Sequence, residues 1–380
     1  MFIPTTQSLL KNRYLVLLVV LLVIAWMSVY PVYTNYYKGL AIEQYERFLD
    51  FKAGKSMFFN PWQYRILCPF LVEGLYQFFD HTVFALFPIN APEYNLPGNT
   101  TDKNAITQKM LVLSSNPEFI KYTIAFVLFR FMEHVAIFWL AFKYFSLFVK
   151  NQALIILGVM LVPIFMGNGV MDSDMAFNSY MDVILYLWAG IVIVKGLNYW
   201  WIVLICVLGA LNRETSLLIP VIFFFSKVDW SNFKAIPTFI KDNFKLLSVC
   251  VVATVLFLGI FVSIRVYYGY QPQTQWRVPA GPQMLKLNLL SSVAVKSYNE
   301  MFGVFGFLPI WCLFFFKQMN RNLKIFFIAL VPLWFAIHFI SVVAYQGRLF
   351  LVPTFLIFLP AVLEYIDTFR ERYTLSGEAR

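Results

Sequence analysis

Glu43 and Glu46 stand three residues apart, with Asp50 four further on and Tyr45 between the first two. At helical spacing of three or four, side chains share a face. A carboxylate whose proton affinity is raised by neighbours and burial is suited to general-base work. The same spacing also describes a solvated polar face. Further along, Met171-Asp172-Ser173-Asp174 offers two carboxylates that could hold a divalent metal through oxygen, although helix capping uses the same residue type. Asp182 falls at the start of an apolar run, where a carboxylate needs a partner or a cavity. Arg213-Glu214 separates two short apolar runs, either as a functional pair or as an ion pair that stabilises a re-entrant turn. Residues 265–300 carry Arg265, Arg277, Lys286 and Lys296 against a single acid, Glu300, and Arg348 follows later. Arginine forks and lysine point charges are what a phosphate or pyrophosphate needs, with lipid headgroups as the plainer partner. Arg130, Glu133 and His134 lie inside an apolar run at spacings that allow one shared face. They form either a functional intramembrane cluster or a packing pair. His338, alone in an apolar run, reads as a hydrogen-bonded packing residue.

These residues are set among long apolar runs. The chain has 380 residues, 60% hydrophobic and 13% charged, with mean hydropathy +0.68. Runs near the ~20 residues that cross a bilayer as a helix recur along it. Spans are expected near 14–33, 119–147, 152–168, 178–196, 199–211, 215–226, 246–267, 303–317, 324–344 and 349–366. The expected fold is therefore all-α: a polytopic transmembrane helical bundle of about ten spans. Net charge is +10, but the basic residues lie between apolar runs, so they read as topology signals and not as a nucleic-acid surface. Lys11 and Arg13, Lys143 and Lys150, Lys195, Lys227 to Lys245, Lys317 to Lys324, and Arg370 and Arg372 mark every second connection. That bias puts both termini in the cytoplasm. The first run lacks a small-residue cleavage site and reads as a retained span, not a signal peptide. Cys68, Cys206, Cys250 and Cys312 have no metal-binding spacing.

Residues 34–118 form one large first loop on the opposite side, carrying interfacial helices. Within it, Ile66, Leu67, Phe70, Leu71 and Leu75 fall on one face, as in a helix lying in the membrane interface. The whole chain to 366 reads as a single transmembrane domain, followed by a short cytoplasmic tail, 367–380.

In this order the elements resemble the GT-C class of integral-membrane glycosyltransferases, in particular small bacterial members without a soluble domain. The resemblance rests on an acidic segment after the first span, Glu43 to Asp50, and on the stretch Trp62-Gln63-Tyr64-Arg65-Ile66-Leu67-Cys68-Pro69. It continues through Tyr180-Met181-Asp182, Arg213-Glu214 and an arginine opening the last span, Arg348. It implies a polyprenyl-phosphate-sugar donor, a lipid, glycan or protein acceptor, and transfer on the non-cytoplasmic face of a bacterial inner membrane. A first-loop carboxylate, often Asp, commonly serves as base in that class; Glu43 and Glu46 are the first places to look, with Asp50 nearby. Tyr64, Arg65, Asp182, Arg213, Glu214, Arg265, Arg277, Lys286 and Arg348 would bind substrate or phosphate, and Asp172 and Asp174 a metal. A lipid-linked polysaccharide polymerase or ligase, or a transporter or flippase, are the alternatives.

Overall fold

A computed structural model describes residues 13–35, 41–55, 60–90, 105–170, 176–228, 236–271, 274–275 and 278–377. Asp172, Asp174 and Arg277 lie outside these residues. The described chain is all-α apart from a two-stranded antiparallel ribbon that pairs Thr274 with Pro279 and Gln275 with Val278.

The principal helices are α1 (Arg13–Asn35), α2 (Ala41–Lys52), α3 (Leu67–His81), α4 (Pro117–Phe145), α5 (Gln152–Val170), α6 (Ala176–Lys195), α7 (Trp200–Asn212), α8 (Leu218–Lys227), α9 (Phe244–Tyr268), α10 (Ser292–Phe305), α11 (Arg321–Ser341) and α12 (Leu359–Gly377). Among the described residues six helical stretches are long and apolar enough to cross a membrane: Pro117–Phe145, Gln152–Gly169, Phe177–Lys195, Phe244–Tyr268, Arg321–Ser341 and Gly347–Glu371. They make this chain a helical integral membrane protein. Leu15–Pro31 and Trp200–Asn212 are shorter apolar helices. At 1.5 Å per residue, α7 extends roughly 20 Å, less than a hydrocarbon core of ~30 Å. It turns at Arg213 into a short 3₁₀ segment, Glu214–Leu217, and returns through α8.

The stretch around 303–317, expected to be one helix, is broken. Gly306 takes a positive φ of 52°, which ends α10, and only a short helix, Leu308–Phe314, follows. The last span contains a π-helical turn, Thr354–Phe358, buried throughout. Two carbonyls of that stretch find outside donors: Tyr144 Oη donates to Leu356 O (2.8 Å) and Cys312 Sγ to Phe358 O (3.6 Å).

The polar connections collect at two ends. At one end the amides of Lys150 and Asn151 donate to Asp367 Oδ2 (2.7 and 3.2 Å), the amide of Asn320 donates to Glu364, and Lys227 and Lys245 lie over the Tyr199 ring. Asp367, the first residue of the expected short tail, is buried inside α12. At the opposite end α3 meets the Arg213 turn and the end of α9.

This second end has an aromatic core of its own. Ala41, Tyr45 and Phe48 of α2, Cys68, Val72 and Tyr76 of α3, and Phe119, Tyr122 and Phe126 of α4 pack together. Tyr76 stacks on Tyr122 at 3.9 Å between centroids, and Phe48 meets Phe126 edge-on at 4.8 Å. The face of α3 buried against protein is thus Leu67, Cys68, Val72 and Tyr76, while Phe70 and Leu71 of the expected interfacial face point away from the bundle. Phe70 is 67% exposed and Leu71 is exposed as well. The i, i+4 column 68–72–76 is covered by aromatic partners from α2 and α4, which spacing within α3 cannot reveal.

Candidate active site

The second end holds an open pocket. Its wall comes from α2 (Gln44, Arg47, Phe48, Asp50, Phe51), the following turn (Lys55), the stretch Trp62, Gln63, Arg65, Ile66 and Pro69, and two residues from further along, Phe177 and Tyr268. Four ionisable side chains therefore share one aromatic-walled cleft: Asp50, Arg47, Lys55 and Arg65.

Each is positioned by a local feature. Asp50 sits in the last turn of α2, and the chain then folds back through Gly54, whose φ of 66° suits a residue without Cβ. The Lys55 amide donates to Asp50 O (2.9 Å), which brings the Lys55 side chain to the same cleft. Asp50 Oδ2 is buried and has no hydrogen-bond partner among the described residues. Burial, then the charge of Glu46, push the Asp50 carboxyl above its ordinary range, against the smaller opposing effect of Lys55. A carboxylate tuned upward in this way and open to a cleft is suited to accept a proton.

Arg65 reaches the pocket from the short link between the 3₁₀ turn Trp62–Tyr64 and α3. Its Nη2 donates to Glu214 Oε2 (3.1 Å), and Arg265 Nη2 donates to Glu214 Oε1 (3.1 Å). One carboxylate so bridges two guanidinium groups. Burial alone would raise the Glu214 carboxyl, yet Arg65 and Arg265 together hold it below its ordinary range. Arg265 stacks over Tyr64 (4.3 Å), and Tyr64 Oη donates to Gly269 O (2.9 Å) while accepting from the Gln271 amide (3.1 Å). The expected residues Tyr64, Arg65, Glu214 and Arg265 are therefore one connected cluster.

Asp182 and Arg213 are brought together behind it. Asp182 is fully buried and accepts from Thr215 Oγ1 and Ser216 Oγ (3.0 Å each), with Arg213 Nη1 at 3.5 Å. Asn212 Nδ2 donates to Asn178 O (2.9 Å) and Tyr186 Oη to Thr215 O (2.6 Å). Gly209 accommodates this turn: a Cβ there would lie 2.4 Å from that of Ser216. The arrangement explains how charged residues survive at the tip of an apolar hairpin. It leaves Arg213 committed to Asp182 and away from the pocket wall.

Other expected residues lie elsewhere. Glu43 and Glu46 are exposed on the outward face of α2, Glu46 in an ion pair with Lys109, and neither lines the pocket. Lys286 is exposed on the helix Pro282–Leu290. Arg348 is buried beside Gln346 (3.1 Å), its backbone against Gly169, and it does not line the pocket. His338 is buried and bonded through Nδ1 to Trp334 O (2.8 Å), as a packing residue would be. Among the described residues no group of three or more His, Cys, Asp or Glu side chains is placed to hold a metal.

Sequence reasoning missed Arg47, Lys55 and Phe177. The signal for Arg47 was present, since Gln44, Arg47, Phe48 and Phe51 form their own helical face at spacings of three and four. No family model, no curated protein and no solved structure matches the chain.

Proposed function

We propose that the pocket is the active site of a membrane glycosyltransferase that uses a polyprenyl-phosphate-linked sugar. The observation that carries this reading is one carboxylate with an unpartnered buried oxygen, Asp50, sharing a cleft with three cations, Arg47, Lys55 and Arg65. A proton acceptor beside an anion-binding group is what transfer from a phosphate leaving group to a hydroxyl requires.

In this mechanism Asp50 takes the proton of an acceptor hydroxyl. The oxygen attacks the anomeric carbon from the side opposite the phosphate, and the carbon–oxygen bond to phosphate breaks with inversion. The electron pair leaves on the polyprenyl phosphate, whose charge Arg65, Arg47 and Lys55 neutralise. Well-placed donors of this kind contribute about 3–4 kcal/mol each. Trp62, Phe51 and Tyr268 offer apolar faces for the sugar or the first isoprene units. The bundle is read as GT-C-like, with about ten crossings once α1, the α7–α8 hairpin and the broken 303–317 stretch are counted. The pocket end is read as facing the non-cytoplasmic side of a bacterial inner membrane, because Lys143, Lys150, Lys195, Lys227, Lys241, Lys245, Lys317 and Lys324 belong to the other end.

The test is transfer of labelled sugar from a polyprenyl-phosphate donor by the protein in liposomes. Turnover that drops about 10²–10⁴-fold in Asp50→Asn, with donor binding retained, supports the reading. Unchanged turnover in Asp50→Asn would remove the base and with it this mechanism.

A further inference from the structure

Below the pocket lies a second group of polar side chains that this mechanism does not use. Glu133 and His134 of α4 and Tyr180 of α6 are all buried, with the Arg130 guanidinium over the Tyr180 ring. Four of their atoms have no hydrogen-bond partner among the described residues: both carboxylate oxygens of Glu133, His134 Nε2 and Tyr180 Oη. Buried polar atoms left without a bond are rare, and four in one cluster, deep in a membrane bundle, call for something that fills them.

The chemistry of the missing partner can be read from the donors and acceptors. Ser28 Oγ lies 2.9 Å from Ala25 O and 2.6 Å from His134 Nδ1, so one ring nitrogen of His134 is already bonded and Nε2 is the one left for a partner. With the Glu133 oxygens as acceptors, the Tyr180 phenol able to serve as either and the Arg130 guanidinium as donor, the chamber mixes donors and acceptors. Groups that both donate and accept complement such a set. A cation is disfavoured, because Arg130 stands 4.0 Å from Glu133 and Arg348 bears electrostatically on Tyr180. Neutral O–H groups remain.

Phe177 separates this chamber from the pocket. Its ring lines the pocket, with Arg47 5.9 Å from its centroid and Arg130 of the chamber 5.0 Å from it. Arg130 also lies over Tyr180 (5.5 Å), and Tyr180 meets His134 edge-on (5.0 Å). Cys68 marks the same boundary. Its Sγ donates to Phe177 O (3.8 Å), and it feels the charges of both Glu133 and Arg130.

We infer that this chamber is a hydroxyl-binding site which holds water at rest and receives hydroxyl groups of the sugar when Phe177 turns aside. The sugar assignment rests on the proposed transfer reaction. Glu133, His134 and Tyr180 then read the hydroxyl pattern, and Phe177 controls entry.

Cys68 supplies a native probe. The protein in lipid nanodiscs is treated with iodoacetamide, and modification of Cys68 is followed by peptide mass spectrometry, with and without methyl glycosides. Thiol reactivity follows exposure, so Phe177→Leu should speed modification about tenfold, with Phe177→Ala as the second variant. A methyl glycoside should slow it again, and Glu133→Gln or Tyr180→Phe should abolish that protection. Unchanged Cys68 reactivity in both Phe177 variants overturns the gate. Faster modification that no glycoside slows, or protection that survives Glu133→Gln and Tyr180→Phe, means water alone and overturns sugar recognition. The assay uses neither phosphate nor turnover, so a failed transfer reaction and a failed chamber give different results.

Discussion

Asp182 and Asp50 are two carboxylates at the same end of the bundle in opposite circumstances. Asp182 is fully buried, and its two oxygens meet Thr215, Ser216 and Arg213. Asp50 lies at the wall of an open cleft, with one oxygen unpartnered and cations of the same cleft for neighbours. A satisfied buried network fixes a turn; an unsatisfied group facing a cleft is free to do chemistry. Both would be noted in a sequence as acids beside apolar runs, and only their partners distinguish them.

That contrast can be broken by exchanging their behaviour. Asp182→Ala would strand the buried Arg213 and should cost about 3–5 kcal/mol of stability, seen as a lowered unfolding midpoint in detergent. Asp50→Asn should leave that midpoint unchanged and remove turnover instead. If Asp50→Asn unfolds the protein while Asp182→Ala leaves it stable, the division between structural and chemical acid is reversed.

The pH profile sharpens the same comparison. A base works in its ionised form, so turnover rises with pH through the Asp50 ionisation. Burial and Glu46 hold Asp50 above the ordinary carboxylate range, so the acidic limb should lie at higher pH than an exposed aspartate would give. Glu46→Gln removes one cause of that rise and should move the limb to lower pH with the plateau rate kept. The smallest effect is expected from Glu43→Gln, an exposed site away from the pocket, with stability within about 0.5 kcal/mol and turnover unchanged.

The long apolar helices were legible because their signal is local: residue type and run length. The 117–145 and 244–268 helices could be placed from sequence to within a few residues. The break at Gly306 was not, since its apolar flanks read as one run and nothing in the composition marks the positive φ. The clustering of Tyr64, Arg65, Glu214 and Arg265 matches residues singled out from the sequence, although 149 positions separate Arg65 from Glu214. Which of Glu43, Glu46 and Asp50 lines the cleft was hidden. The placement depends on the face of α2 turned to Lys109 and on the turn at Gly54 folding Lys55 back toward Asp50. Arg130, Glu133 and His134 stood out as intramembrane charges, but Tyr180, which packs on them, arrives from another helix through packing alone.

The most direct measurement is a cryo-electron microscopy structure of the protein in nanodiscs with added polyprenyl phosphate. The phosphate is expected among Arg47, Lys55 and Arg65, beside Asp50, with the lipid tail leading away along the bundle surface. Phosphate bound instead near Arg348, Lys296 and Lys286, with the Asp50 cleft empty, would contradict the assignment of the active site.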